Sequence, residues 1–251
     1  VPVTLVLTIH PEPRSFTAAW AGASAAAAEA LGHRVLRSDP YAEGFAPAEG
    51  PALYSDPPVP FDPLKAQETL SDATLPADVA REVGRLRQAD RLIIHFPMWW
   101  FAPPAILKGW CDRVLVHGLL HDTDTRFDRG RFRHLDVLFC VTTGGDAVES
   151  GPDGREGHWR LLLWPLAQTF RYMGARVKEP VALHGVHGYH KGPRKAALER
   201  RLAQALDAQG ALVAAWDDRP DWPFHADADF DAEGRLKSGI TSFDPFIRHR
   251  E

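Results

Sequence analysis

Five short apolar runs recur along the chain, and a stretch of helical character follows each one. Residues 3–9 (VTLVLTI) are almost continuously hydrophobic and β-branched, as expected of a strand buried on both faces. Ser15 stands at an N-cap position ahead of the Ala-rich segment 16–31, whose small residues suit a helix packed closely on a sheet, and Gly32 ends it. A second strand is predicted over 33–38, stopped by Pro40. Residues 40–75 are rich in Pro, Ala and Asp without a clear period, and read as a long excursion with one short helix near 62–70. Val79, Val83 and Leu86 lie at helical spacing within 76–89. Further strands are predicted over 91–96, 134–142 and 177–184, and helices over 103–117, 158–173 (ended by Gly174) and 193–209.

Apolar strands alternating five times with helices predict an α/β protein with a doubly wound parallel sheet. From about 217 the pattern becomes aperiodic (DDRPDWPFHADADFDAEGRLKSG). The expected division is therefore a sheet domain over 1–215 and an irregular C-terminal extension over 216–251. Trp222, Phe224, Phe230 and Phe243 imply that this extension packs against something.

Composition adds mainly exclusions. The 251 residues are 45% hydrophobic and 25% charged, enough for a proper core. A net charge of −4 with mixed signs disfavours a dedicated nucleic-acid binder. No apolar run approaches the roughly 18–20 residues of a membrane span, and the first residues carry no leader pattern. Cys111 and Cys140 lie inside apolar segments and read as reduced core residues, which makes the cytoplasm the expected compartment.

The most unusual stretch follows the third predicted strand. There Pro97 leads into Met98, Trp99, Trp100 and Phe101 before a Pro-Pro pair. Loops lie in water, so four large apolar side chains on one loop imply a planar cofactor or a second subunit that covers them. In an open parallel sheet, ligands sit beyond the carboxyl ends of the strands. The first strand ends in His10 and Arg14 beside Ser15 and Thr17, hydroxyls and helix N–H groups suited to phosphate, although Ser15 alone could be an ordinary cap. The fourth ends in Thr142, Thr143, Gly144 and Gly145, where paired glycines admit close backbone approach, although alone this is also a common turn. Together the three ends describe a site for a planar, phosphorylated cofactor. No GxGxxG follows the first strand and no GxxxxGK[ST] occurs, which disfavours a Rossmann nicotinamide site and excludes a P-loop. Flavin is the natural candidate. His184, His187 and His190 are clustered but lack an acidic partner, so no metal is expected.

SFTAAW at 15–20, SDPYAEGFAP at 38–47, FPMWWFAPPAILKGWCDRVL at 96–115, TTGG at 142–145 and LLLWPLAQTFRYMGARVKEP at 161–180 carry a resemblance to the NAD(P)H:quinone oxidoreductase (DT-diaphorase) family of flavodoxin-like flavoproteins. The resemblance implies a five-stranded flavodoxin-like sheet of order 2-1-3-4-5. It implies that His10, Ser15, Phe16, Thr17 and Ala19 hold the flavin phosphates and ribityl chain, that Pro97, Met98, Trp99, Trp100 and Phe101 line the isoalloxazine, and that Thr142, Thr143, Gly144 and Gly145 bond its polar edge. Asp112 and Arg194 match positions that favour FAD over FMN. A homodimer with shared flavin sites is implied, the C-terminal extension packing on it. Trp100 and Phe101 would form one wall of the substrate slot, and His121 and Tyr172 of the other subunit the opposite wall.

Ser150 and Glu156 stand where the family carries a Tyr and a His that steady charge on the reduced flavin, and Trp99 stands where a Gln is common. Glu156 is thus a candidate proton relay, with a surface position beside Arg155 as the alternative. The function implied is NAD(P)H-dependent reduction of quinones or similar acceptors by ping-pong hydride transfer. The alternatives are a regulatory flavoprotein subunit of a membrane transporter and a flavodoxin-type electron carrier.

Overall fold

The computed structural model describes residues 1–250. Its first half runs β1 (Val3–Thr8), α1 (Phe16–Ala30), β2 (Arg34–Ser38), α2 (Pro63–Glu68), α3 (Ala77–Gln88), β3 (Arg91–Pro97) and α4 (Ala105–Val114). The second half runs β4 (Asp136–Thr142), α5 (Trp159–Tyr172), β5 (Arg176–Val177), β6 (Val181–Leu183) and α6 (Gly192–Ala214). The sheet has the order β2-β1-β3-β4-β5, with β6 also paired to β4, and every named pair is parallel. This is the flavodoxin-like arrangement.

Strand alternation explains the double winding. Leu5, Leu7, Leu92, Ile94, Phe96, Val137, Phe139 and Val141 face α3, α4 and α5 in one core cluster. Ile93, Leu138 and Cys140 face the other way, onto Trp20 and Ala28 of α1 and onto Val213 and Trp216 at the end of α6. Both cysteines are free and buried, as their apolar surroundings predicted, and burial pushes each thiol up to about 12.

The predicted fifth strand is split. Val137 pairs with Val177, yet Cys140 pairs with Val181, so between these pairs three residues (178–180) oppose two (138–139). The cause is chemical: Pro180 has no N–H to give, and Glu179 N–H donates instead to Pro220 O of the C-terminal segment at 2.8 Å. α6 also runs on to Ala214, past the expected end at 209.

The C-terminal extension covers α5 of its own chain. Trp222 N–H donates to Val177 O at 2.7 Å, its ring lies under the Arg160 guanidinium at 4.3 Å, and Phe246 stacks on Trp164 at 4.6 Å. The tail aromatics are therefore packed, though Phe243 remains half exposed against His225.

Candidate active site

β1, β3 and β4 are neighbours in the sheet, and their carboxyl ends are level. Thr8 pairs with His95, and Pro97 with Thr142. The three unusual loops therefore leave the sheet side by side, next to the β1/β3 switch point where open α/β sheets bind ligands.

After β1, Ser15 caps α1 by accepting from Ala18 N–H at 3.2 Å, and Ala19 N–H donates to Ser15 O at 3.1 Å. Among the described residues nothing claims the N–H groups of Phe16 and Thr17, the two orphan donors of the first turn. Arg14 is exposed and paired with Glu12 at 2.8 Å. His10 sets its ring edge against Trp99 at 5.7 Å and so joins this cradle to the next loop.

After β3 the chain makes a tight reversal. Met98 N–H donates to Thr142 O at 2.7 Å, and Trp99 and Ala102 exchange both backbone bonds at 2.9 and 3.1 Å. The two central residues, Trp100 and Phe101, sit at φ 51° and 62°. Such a turn ordinarily takes Asn and Gly, so two bulky aromatics there are strained. The result is a ridge with Trp100 93% and Phe101 54% exposed. Trp99, unusual by sequence, closes the turn with its backbone and carries His10 on its ring.

After β4, Thr143 N–H donates to Leu183 O, Gly185 N–H to Gly145 O at 2.8 Å, and Val186 N–H to Thr143 O. The end of β6 thus pins the turn. The Thr143 hydroxyl bonds Gly145 O and His184 Nδ1, at 2.9 and 2.8 Å. Burial lowers the His184 pKa below the ordinary imidazole value. No described group accepts from Gly144 or Gly145 N–H. Between this turn and the aromatic ridge lies a cavity of about 280 Å³, lined by Met98, Trp100, Phe101, Thr143, Gly144 and Gly145. It is closed by Ser150, Glu156, Gly157, Trp159 and Leu162. Arg155 pairs with Glu149, and the part-buried Glu156 is among the residues that line the cavity. Trp159 and Leu162 escaped sequence reasoning, being the first turn of an ordinary amphipathic helix.

The remaining expected residues lie elsewhere. Asp112 pairs with Lys108 along the outer face of α4, and Arg194 is exposed at the start of α6, so neither lines the cavity. His121 and Tyr172 do meet each other, ring centroids 5.5 Å apart, and the Phe127 ring lies 5.1 Å from that of Tyr172. His121 Nε2 donates to Leu115 O at 3.0 Å, its Nδ1 is buried without a partner, and burial lowers its pKa. A second, larger cavity of about 1080 Å³ lies between α5, residues 126–129 and the C-terminal extension. Arg126, Arg171, Arg248, Phe224 and Phe246 are among its lining residues, and the aperiodic tail gave no signal of it. Among the described residues no His/Cys/Asp/Glu group could hold a metal, and no helix is long and apolar enough to cross a membrane.

Strand order and site position together define an α/β protein of flavodoxin-like fold. The model of that fold family matches residues 3–208. The chain is 32% identical over 187 residues to NAD(P)H dehydrogenase (quinone) 1 of Rattus norvegicus, covering 72% of this chain and 68% of the relative. It is 31% identical over 220 residues to ribosyldihydronicotinamide dehydrogenase (quinone) of Homo sapiens, covering 86% and 89%. A solved structure from Klebsiella pneumoniae, described as a quinone reductase, superposes with a TM-score of 0.84 at 26% identity, covering 96% of this chain and 98% of that one. The chain belongs to the flavodoxin-like NAD(P)H:quinone oxidoreductase family, and it is an oxidoreductase.

Proposed function

We propose that this chain is an NAD(P)H-dependent flavoprotein that reduces quinones and similar planar acceptors. One observation carries the proposal: an aromatic ridge and a turn with unclaimed N–H donors face each other across a cavity at the switch point. A flat ring with a hydrogen-bonding edge fits that pairing. The orphan N–H groups of Phe16 and Thr17, with the Ser15 cap and His10, suit its phosphate on the neighbouring strand end. Bound there, a flavin supplies two-electron transfer between nicotinamide and acceptor. Phe16, Thr17 and Ala19 would hold the chain of the cofactor, Pro97 to Phe101 its ring, and Thr142 to Gly145 its polar edge. The matches of Asp112 and Arg194 to the family favour FAD over FMN.

The ridge also needs a cover. Trp100, Phe101 and Trp99, 93%, 54% and 41% exposed, form an apolar patch that a second copy of the chain would bury in a homodimer. His121 and Tyr172 of that copy would then supply the opposite wall of the slot. Donor and acceptor use the slot in turn, so double-reciprocal plots of initial rate at several quinone concentrations should run parallel; intersecting lines contradict a shared slot. Heat release and chromatography of the cofactor decides between FAD and FMN. The relatives described above give no support to the transporter-subunit reading.

A further inference from the structure

Glu156 is the ionisable residue among those lining the cavity. Its carboxylate lies so close to the donor turn that a Cβ built on Gly145 would stand 2.0 Å from Oε2 and 2.7 Å from Cδ. Among the described residues it has neither an ion pair nor a side-chain hydrogen bond. Arg155 is held by Glu149, and Asp146 accepts from the N–H groups of Val148 and Glu149. Just after β6, His184 meets the Thr143 hydroxyl through Nδ1 and burial lowers its pKa, and Arg201 of α6 donates to the His184 carbonyl at 2.7 Å. The β3 loop contributes Met98, Trp100 and Phe101, and α5 contributes Trp159 and Leu162, all without charge. The cavity therefore presents one uncompensated carboxylate against the turn proposed to hold the polar edge of the cofactor.

We infer that Glu156 couples uptake of a second proton to reduction of the cofactor, an inference that rests on a flavin occupying this cavity. A nicotinamide donor delivers two electrons with one proton, which leaves a negative charge on the ring unless another proton arrives. A cation at position 156 would hold that charge, whereas a carboxylate repels it. A proton from solvent is therefore shared between Glu156 and the ring edge. The balance is complete, because a quinone takes two electrons and two protons to become a quinol, and the donor plus one solvent proton provides them.

The test is the pH dependence of the flavin midpoint potential in the holoprotein, which reads protons bound per two electrons across the neutral range. Two protons are expected for the wild type, and one for Glu156→Gln, which keeps size and removes charge. One proton in the wild type, or two in Glu156→Gln, overturns the inference while leaving the flavoprotein assignment intact. A chain that takes up no flavin contradicts the assignment itself.

Discussion

At the scale of single residues, the site depends on atoms that are missing as much as on those present. Gly145 leaves the space that the Glu156 carboxylate fills, within 2.0 Å of where a Cβ would stand. Gly145→Ala should leave the fold intact, because a flexible carboxylate end can move, but it should displace Glu156 and crowd the donor turn. Flavin affinity should fall about tenfold, near 1.4 kcal/mol, in a fluorescence titration; unchanged affinity would show that the turn does not meet the cofactor. Trp100 stores the opposite kind of tension. Its left-handed backbone, φ 51°, costs roughly 1–2 kcal/mol, partly offset in a glycine variant by about 0.5–1 kcal/mol of chain entropy. Trp100→Gly should thus unfold in urea at a midpoint no lower than the wild type while quinone turnover drops. A lower midpoint would mean the turn is not strained. The aromatic loop and the paired glycines were legible in sequence because their residue types are rare on loops. The orientation of Glu156 was not legible, because it depends on the path of the loop after β4, which sets Glu156 against Gly145 while Arg155 pairs with Glu149.

At the scale of elements, a buried polar chain ties both helices of one face to the central strand. Trp20 Nε1 donates to Gln209 Oε1 at 2.7 Å, Gln209 Nε2 to the Ser24 hydroxyl at 2.6 Å, and Ser24 bonds His95 Nε2 at 2.9 Å. Burial pushes the His95 pKa down from 6.5 to about 3, so the native imidazole stays neutral. Between those values the unfolded chain binds a proton that the native state refuses. Its contribution to stability is full above the unfolded pKa and is lost as pH falls toward the native one. The loss should be on the order of 3 kcal/mol by about pH 4. Denaturant unfolding against pH should show this slope, and His95→Gln should flatten it; an equal slope in the variant contradicts the assignment. Periodic helices and continuous apolar strands were legible to within a few residues. The break between β5 and β6 was not, because Glu179 N–H finds its acceptor in Pro220, far along the chain.

At the scale of the whole molecule, the sheet builds the site and the C-terminal extension seals α5. The Trp164 indole N–H donates to the buried Asp244 carboxylate, and Phe246 stacks on the same ring. Asp244→Ala should leave that N–H unpaired and cost about 2 kcal/mol, seen as a lower unfolding midpoint. Loss below about 0.5 kcal/mol would mean the extension adds little. The ridge at Trp99 to Phe101 makes a homodimer the expected state, which sedimentation equilibrium checks directly; a monomer at micromolar concentration contradicts it. The aromatic ridge was recognisable in sequence as surface seeking a cover, and the fold sets it opposite the donor turn on an adjacent strand.

Anaerobic titration of the purified protein with NAD(P)H, followed by its visible absorbance, tests directly whether the chain is a flavoprotein reductase. A yellow protein, bleached by one equivalent of donor per site and recoloured by added quinone, is the predicted result. A protein that stays colourless after incubation with FAD or FMN, or a yellow one that NAD(P)H does not bleach, would contradict it.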